Sequence, residues 1–383
     1  MKDKHVIYQL HTHHRAIMYV RGRNVLPELR TMPTENAQLK GGITAMERAL
    51  KDRSTKNSRR SMAPALPSTA ASRLSNAESI SDGLQFVFGL EQGQPWTDLG
   101  PIGQAPDVWI TAYVLARLGD VPASFFTPVQ YQRMEQALEW LEQSRAREGS
   151  WGYASGVSAD AESTAWVMIA LRRYGRPVPH SVSAWLRSCR RPDGGFALHP
   201  PSCQGSCCLS SSPGVTAVAA KALGDVDSNI EQYLTKQLQN LVPGDASVTE
   251  GNTFVCSEIL DCEGALAPWS LLNGVCRLAT LDVPKTSFAS ALLLRSLLRL
   301  RMRRALHVAD SLRALQQTDG SWPRTVLPKM ATASFSSGKD SLTFDSRGLL
   351  ATVTAISALG ISQSQPGMYD GSYLPRPRRL PEV

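Results

Sequence analysis

Asp160 and Glu162 stand two residues apart, and after them come Ser163, Thr164, Ala165 and the apolar run Trp166 to Leu171. Two carboxyls at the threshold of so apolar a segment suggest proton chemistry. Burial keeps a carboxyl neutral, a neutral carboxyl in an apolar cavity is a proton donor, and a hydrogen-bonded neighbour can direct its proton. Protonating an alkene requires such an acid, with Glu162 as donor and Asp160 as neighbour. The plainer alternative is a helix start. Asp160 is a good N-cap, Ser158 could cap instead, and Glu162 in the first turn suits the helix dipole. Asp107 sits at the same register as Asp160, which favours capping for Asp160 and leaves Glu162 the better functional candidate.

The register comes from an internal repeat. A Thr-Ala step, an apolar run and a glycine recur at Thr111 to Gly119, Thr164 to Gly175, Thr216 to Gly224 and Thr354 to Gly360. The first three threonines are 53 and 52 residues apart; the fourth lies 138 further on, leaving room for more degenerate copies, one of which could include Ala289 to Leu300. Two residues before each threonine stand Trp109, Glu162, Gly214 and Thr352, so only one copy carries a carboxylate there. Aromatic faces would stabilise a cation formed nearby. The candidates are Trp109, Tyr113 and Trp166, with Phe335 and Phe344 on a later loop; ordinary core packing is the alternative for each.

Between the apolar runs come turns carrying glycine and an aromatic: Gly93 to Trp96, Gly149 to Tyr153, Asp193 to Phe196 and Asp319 to Trp322. Trp96, Trp151 and Trp322 therefore read as structural. Amphipathic helices precede several turns, as at Gln130 to Ser144 and Arg304 to Gln317. Each unit of about fifty residues is a half-buried helix, a turn and a helix apolar on nearly all sides, and the last kind must be buried. The predicted fold is all-α, a single α/α toroid of two concentric helical layers, with an open solenoid as the alternative. The expected organisation is a basic, disordered leader over 1–76, the toroid over 77–362 and a Pro/Arg-rich tail over 363–383.

The net charge of +8 belongs to the leader: residues 1–75 hold 14 Lys or Arg against 5 Asp or Glu, leaving −1 for the rest. That leader could touch anionic lipid or nucleic acid, but a solvated extension is the simpler reading, so no nucleic-acid partner is expected. No run of eighteen apolar residues occurs, and Arg295 and Arg299 break the best candidate, so no membrane span is expected. Seven cysteines without a secretion signal suggest a reducing, cytoplasmic setting. Cys203, Cys207, Cys208, Cys256 and Cys262, with His199 and His307, raise a zinc site, although their spacing fits no paired Cys-x-x-Cys pattern. Asp225 and Asp227 read as a cap for the following helix. No Asp-Asp-x-x-Asp step for magnesium and no phosphate-cradling glycine loop are present.

The stretch Gln316-Gln317-Thr318-Asp319-Gly320-Ser321-Trp322 resembles the QW motif of squalene–hopene and oxidosqualene cyclases, and Gln143 to Trp151 is a looser copy. The chain is thus similar, over roughly 285 residues, to the terpenoid cyclase and protein prenyltransferase toroids. In class II terpenoid cyclases an Asp-x-Asp-Asp motif precedes Thr-Ala, and its middle aspartate protonates an alkene or epoxide. Asp160-Ala161-Glu162-Ser163 is the matching stretch, with Glu162 in the donor's place and Ser163 replacing the last aspartate. The resemblance implies a class II-like cyclase of a linear isoprenoid or prenylated molecule, with no metal needed for protonation and with a second helical domain or protein partner near the site. The alternatives are a non-catalytic toroid binding an apolar ligand or protein, and a zinc-dependent prenyltransferase-like subunit, whose Asp-x-Cys step is replaced here by adjacent Asp261 and Cys262.

Overall fold

The computed structural model describes residues 74–90, 95–97, 107–203, 210–224, 226–240, 246–261, 284, 286–327 and 343–364. Eleven α-helices lie among them: α1 (Asn76–Gly89), α2 (Asp107–Leu118), α3 (Pro128–Gln143), α4 (Ala161–Arg173), α5 (His180–Ser188), α6 (Pro213–Leu223), α7 (Ser228–Asn240), α8 (Ala246–Leu260), α9 (Ser287–Arg299), α10 (Arg304–Arg313) and α11 (Leu349–Gln363). The described residues also contain one antiparallel pair of two-residue strands, β1 (Val326–Leu327) and β2 (Thr343–Phe344). None of the described helices is long and apolar enough to cross a membrane.

The helices fall into two layers, as the hydrophobic periods require. In α2, α4, α9 and α11 nearly every side chain is buried, on all faces. In α3 burial is confined to Met134, Ala137, Leu138 and Leu141, and in α10 to Ala305, Val308, Ala309 and Leu312, the single stripe of a helix with one face to solvent. The buried helices pack in the order α2, α4, α6, α8, α9, α11, and α11 returns to α2. The ring therefore closes, and the open solenoid is excluded. Helices α8 and α9 supply the degenerate copies between the third and fourth threonines.

The repeated threonine is a clip. Thr164 Oγ1 donates to Trp151 O (2.9 Å) and accepts from Trp151 N (3.1 Å). Thr111 donates to Trp96 O, Thr216 accepts from Phe196 N, and Thr352 accepts from Trp322 N. The fourth equivalent is thus Thr352, not Thr354, which corrects the register by two residues and makes Leu350 the counterpart of Glu162 in the fourth copy. Thr354 serves the closure of the ring instead, for its Oγ1 lies 2.8 Å from Tyr113 Oη, across the seam between α11 and α2. Each turn tryptophan is pegged by its indole N–H to a backbone carbonyl, Trp96 to Val87 (3.1 Å), Trp151 to Leu141 (2.6 Å) and Trp322 to Leu312 (2.8 Å), as their structural reading anticipated.

At Gly320 φ is +85°, and an added Cβ would come 2.3 Å from Asp82 O in α1. Gly149 has a similar φ of +82° with nothing within 4 Å. Gly320→Ala is therefore expected to cost at least about 2 kcal/mol in urea unfolding, from strain plus a clash with backbone, whereas Gly149→Ala costs about 1 kcal/mol from strain alone.

Candidate active site

Asp160 is the N-cap of α4. Its Oδ1 accepts from Ser163 N (2.8 Å) and its Oδ2 from Ser163 Oγ (2.7 Å). Capping thus falls to Asp160, and Ser163, standing where a third acid was expected, spends its hydroxyl on that cap. Burial pushes the Asp160 carboxyl up to about 6, against the pull of the Ser163 hydrogen bonds and His199. His199 is itself held by its Nδ1 against Ala159 O (3.1 Å).

Glu162 does none of the capping. It is 4% exposed, and burial, with the Asp160 charge and then Glu258 adding to it, raises its carboxyl to about 8. The one opposing influence is the Trp109 indole N–H. Trp109 belongs to α2 and Glu258 to α8, so Glu162 faces the interior of the ring. Near neutral pH this elevation favours the protonated carboxyl.

Below Glu162, toward the C-terminal ends of the inner helices, run the aromatics. Trp109 stacks on Tyr113 with centroids 5.2 Å apart, and Tyr113 meets Trp166 edge-on at 4.9 Å. The structure thus brings together Glu162, Trp109, Tyr113 and Trp166. Phe344 lies in β2, opposite Val326, while Phe335 lies outside the described residues.

The Arg117 guanidinium sits 4.6 Å from the Tyr113 centroid and 5.0 Å from that of Trp166. Arg117 pairs with Glu258, and Lys221 bridges Asp261 (2.8 Å) and Glu258 (3.6 Å). Arg295 joins Asp261 (2.6 Å), Asp120 and Ser357. Arg173 reaches Asp120 (2.6 Å), and Arg299 reaches Asp261 (3.1 Å). Every inner helix contributes from its C-terminal half, so the six run parallel and this ion network closes the lumen at that end. Among the described residues, five bases against three acids leave two positive charges, which the converging negative ends of the helix dipoles favour. Sequence reading missed this floor; Arg295 and Arg299 inside an otherwise apolar run were its one local signal.

Of the sequence-derived zinc ligands, only Cys203, Cys256, His199 and His307 fall among the described residues. Cys189 and Cys256 are buried free thiols that burial pushes up to about 12, Cys203 is exposed, and Cys207, Cys208, Cys262 and Cys276 lie outside the described residues. Among the described residues no three potential ligands gather. Asp227 caps α7 as expected, accepting from Asn229 N and Ile230 N, both 3.0 Å; Asp225 lies outside the described residues.

A closed ring of parallel inner helices inside an outer layer is an α/α toroid. No protein-family model matches the sequence, and no curated protein does. Among solved structures, the chain resembles the type II terpene cyclase MstE from Scytonema in its apo form, at 19% identity and a TM-score of 0.58, over 76% of this chain and 99% of that one. A variant of MstE in complex with its substrate geranylgeranyl dihydroxybenzoate matches at 19% identity and a TM-score of 0.58, over 74% and 96%. A protein from Actinoplanes matches at 19% and 0.59, over 76% and 100%.

Proposed function

We propose that this chain is a type II-like terpenoid cyclase in which Glu162 donates the proton that starts cyclisation of a linear isoprenoid or prenylated substrate. The observation that carries the reading is a buried carboxyl, raised by that burial, in the first turn of α4, on the side of the helix where Trp109, Tyr113 and Trp166 pack together. MstE, of the same fold, takes geranylgeranyl dihydroxybenzoate as substrate, which supports a prenylated substrate here. The toroid limits of 77–362, between a basic leader and a Pro/Arg-rich tail, belong to the same proposal.

In this mechanism the proton leaves Glu162, cationic character develops on the substrate, the next alkene attacks, and a final deprotonation restores the acid. Asp160 acts through space, since Ser163 occupies both its oxygens, so it sets the proton affinity of Glu162 without touching substrate. Among the aromatics, Tyr113 and Trp166 already carry the Arg117 cation on their faces, and a second cation there would be repelled. Trp109, level with Glu162, is the aromatic suited to the first cation. The protonation step needs no metal.

Incubation with farnesyl diphosphate, geranylgeranyl diphosphate, squalene and geranylgeranyl dihydroxybenzoate tests the proposal. The expected result is a cyclic isomer of unchanged mass from at least one of them, made without added metal. Undiminished product from Glu162→Gln would overturn the assignment of the acid. Specific binding of a polyprenyl chain with no conversion would favour the non-catalytic toroid.

A further inference from the structure

At the level of Glu162 the inner helices carry equivalent residues, set by the N-cap or by the threonine clip. In α2, α4, α9 and α11 these are Trp109, Glu162, Phe288 and Leu350. The first two and Phe288 are under 5% exposed, and Leu350 is fully buried. In α6 the equivalent residue is Gly214, two after the N-cap Ser212.

A glycine is ordinarily required by a positive φ or by a neighbour too close for a Cβ. Among the described glycines only Gly89 and Gly214 show neither, and Gly89 is exposed at the end of α1. At Gly214 an added Cβ would meet the Phe254 ring of α8 at 3.5 Å, an ordinary contact. Glycine also weakens a helix relative to alanine. Neither the backbone nor the packing therefore calls for the missing side chain.

The space it leaves lies beside the acid. Helices α4 and α6 pack on one another, and the clips of Thr164 and Thr216 set Glu162 and Gly214 at the same height and on the same face. Gly214, Phe254 and Val255 are half-buried, whereas the equivalent residues of α2, α4, α9 and α11 are closed off. One turn below, Tyr113 and Trp166 fill the lumen with no exposed surface.

We propose that Gly214 determines the substrate specificity of the site: its missing side chain leaves a recess, walled by Phe254, that receives the branched isopropylidene end of the isoprenoid and holds its double bond against Glu162. The proposal rests on the cyclase reading and deepens it. Packed helices stand roughly 8–10 Å apart, so a leucine-sized side chain at position 214 would fill the space between α6 and the acid. The two terminal methyls fill it instead, against the apolar face of Phe254. Because Tyr113 and Trp166 block the way down, the rest of the chain runs back toward the N-terminal ends of the inner helices.

The probes are geranylgeranyl dihydroxybenzoate and an analogue whose two terminal methyls are extended to ethyls. Gly214→Ala should melt no earlier than wild type and lower kcat/KM for the methyl probe about 10-fold, chiefly through KM. Gly214→Leu, the residue that α11 carries at this position, should lower it at least about 100-fold. Phe254→Ala should move the preference toward the ethyl probe by about 10-fold, and Gly214→Ala should move it the other way. A general packing loss acts on both probes alike and leaves their ratio unchanged, so the ratio decides even where Gly214→Leu fails to fold. Undiminished turnover by Gly214→Leu, or a ratio unmoved by both smaller substitutions, overturns the inference and leaves the cyclase reading standing. Binding of both probes with the expected ranking among the variants, but no turnover, upholds the recess and overturns the cyclase reading. Wild-type protein that neither binds nor converts either probe overturns both.

Discussion

Glu162→Gln is expected to lower turnover roughly 1,000-fold and, at the same time, to make the protein more stable at alkaline pH. The two effects share one cause. Burial raises the carboxyl from its ordinary 4.5 to about 8. The unfolded chain therefore releases this proton above about pH 4.5, while the folded chain keeps it until about pH 8. The contribution of Glu162 to stability is full below 4.5, declines as pH rises through that window, and is flat above it. Glutamine carries no charge at any pH, so the stability difference between variant and wild type should grow from pH 4.5 to 8 and level off, at an upper limit on the order of 3–5 kcal/mol. Urea unfolding at half-unit pH intervals measures it; a difference independent of pH would show that Glu162 is ionised in the folded protein. The wild-type rate should fall about tenfold per unit above pH 8 as the acid form disappears.

The largest loss of stability is expected at Arg295. Its guanidinium is fully buried and lies between Asp120 and Asp261, both held well below the usual carboxylate range, chiefly by this cation against the desolvation that opposes it. Arg295→Met keeps much of the volume but removes the fully buried cation shared by two buried carboxylates, leaving Asp120 to Arg173 and Asp261 to Lys221 and Arg299, which costs about 3–5 kcal/mol, or a fall in Tm on the order of 10 °C. Arg173 also pairs with Asp120, but its side chain is 27% exposed, and Arg173→Gln should cost under about 1 kcal/mol. Comparable melting temperatures for the two variants would mean that the floor of the lumen is not a buried network.

Local signals in the sequence carried the helices far and the site part of the way. The repeats disclosed the buried helices because a segment apolar on every face needs no partner to be recognised. Glu162 stood out as the one acid at a repeated position. Closure of the ring was inferred from two helical layers with an open solenoid left as the alternative, since nothing periodic tells a ring from an arc. The ion network was out of reach: Arg295 meets Asp261 across 34 residues and Asp120 across 175, and no spacing rule joins them. Asp261, adjacent to Cys262 where a prenyltransferase-like zinc site would have an Asp-x-Cys step, is an acid of that network. The fourth threonine was misplaced by two because Thr352 and Thr354 both fit the pattern, and only the hydrogen bond to Trp322 distinguishes the clip.

The seam of the ring bears on how the protein is made. Helix α1 packs on α11, with Asn76 Nδ2 donating to Ser362 Oγ (3.4 Å), and the turn after α10 holds it too, Gln316 Nε2 donating to Ser79 O (2.9 Å). Of the described helices α1 leaves the ribosome first and α11 last, roughly 260 residues later. At ordinary elongation rates Ile80, Leu84 and Val87 must wait roughly 10–50 s for the surface that covers them. During that interval the nascent chain carries a greasy, unclaimed stripe at its leading end, so its yield in a cell is governed as much by holdase chaperones and translation speed as by the stability of the finished ring.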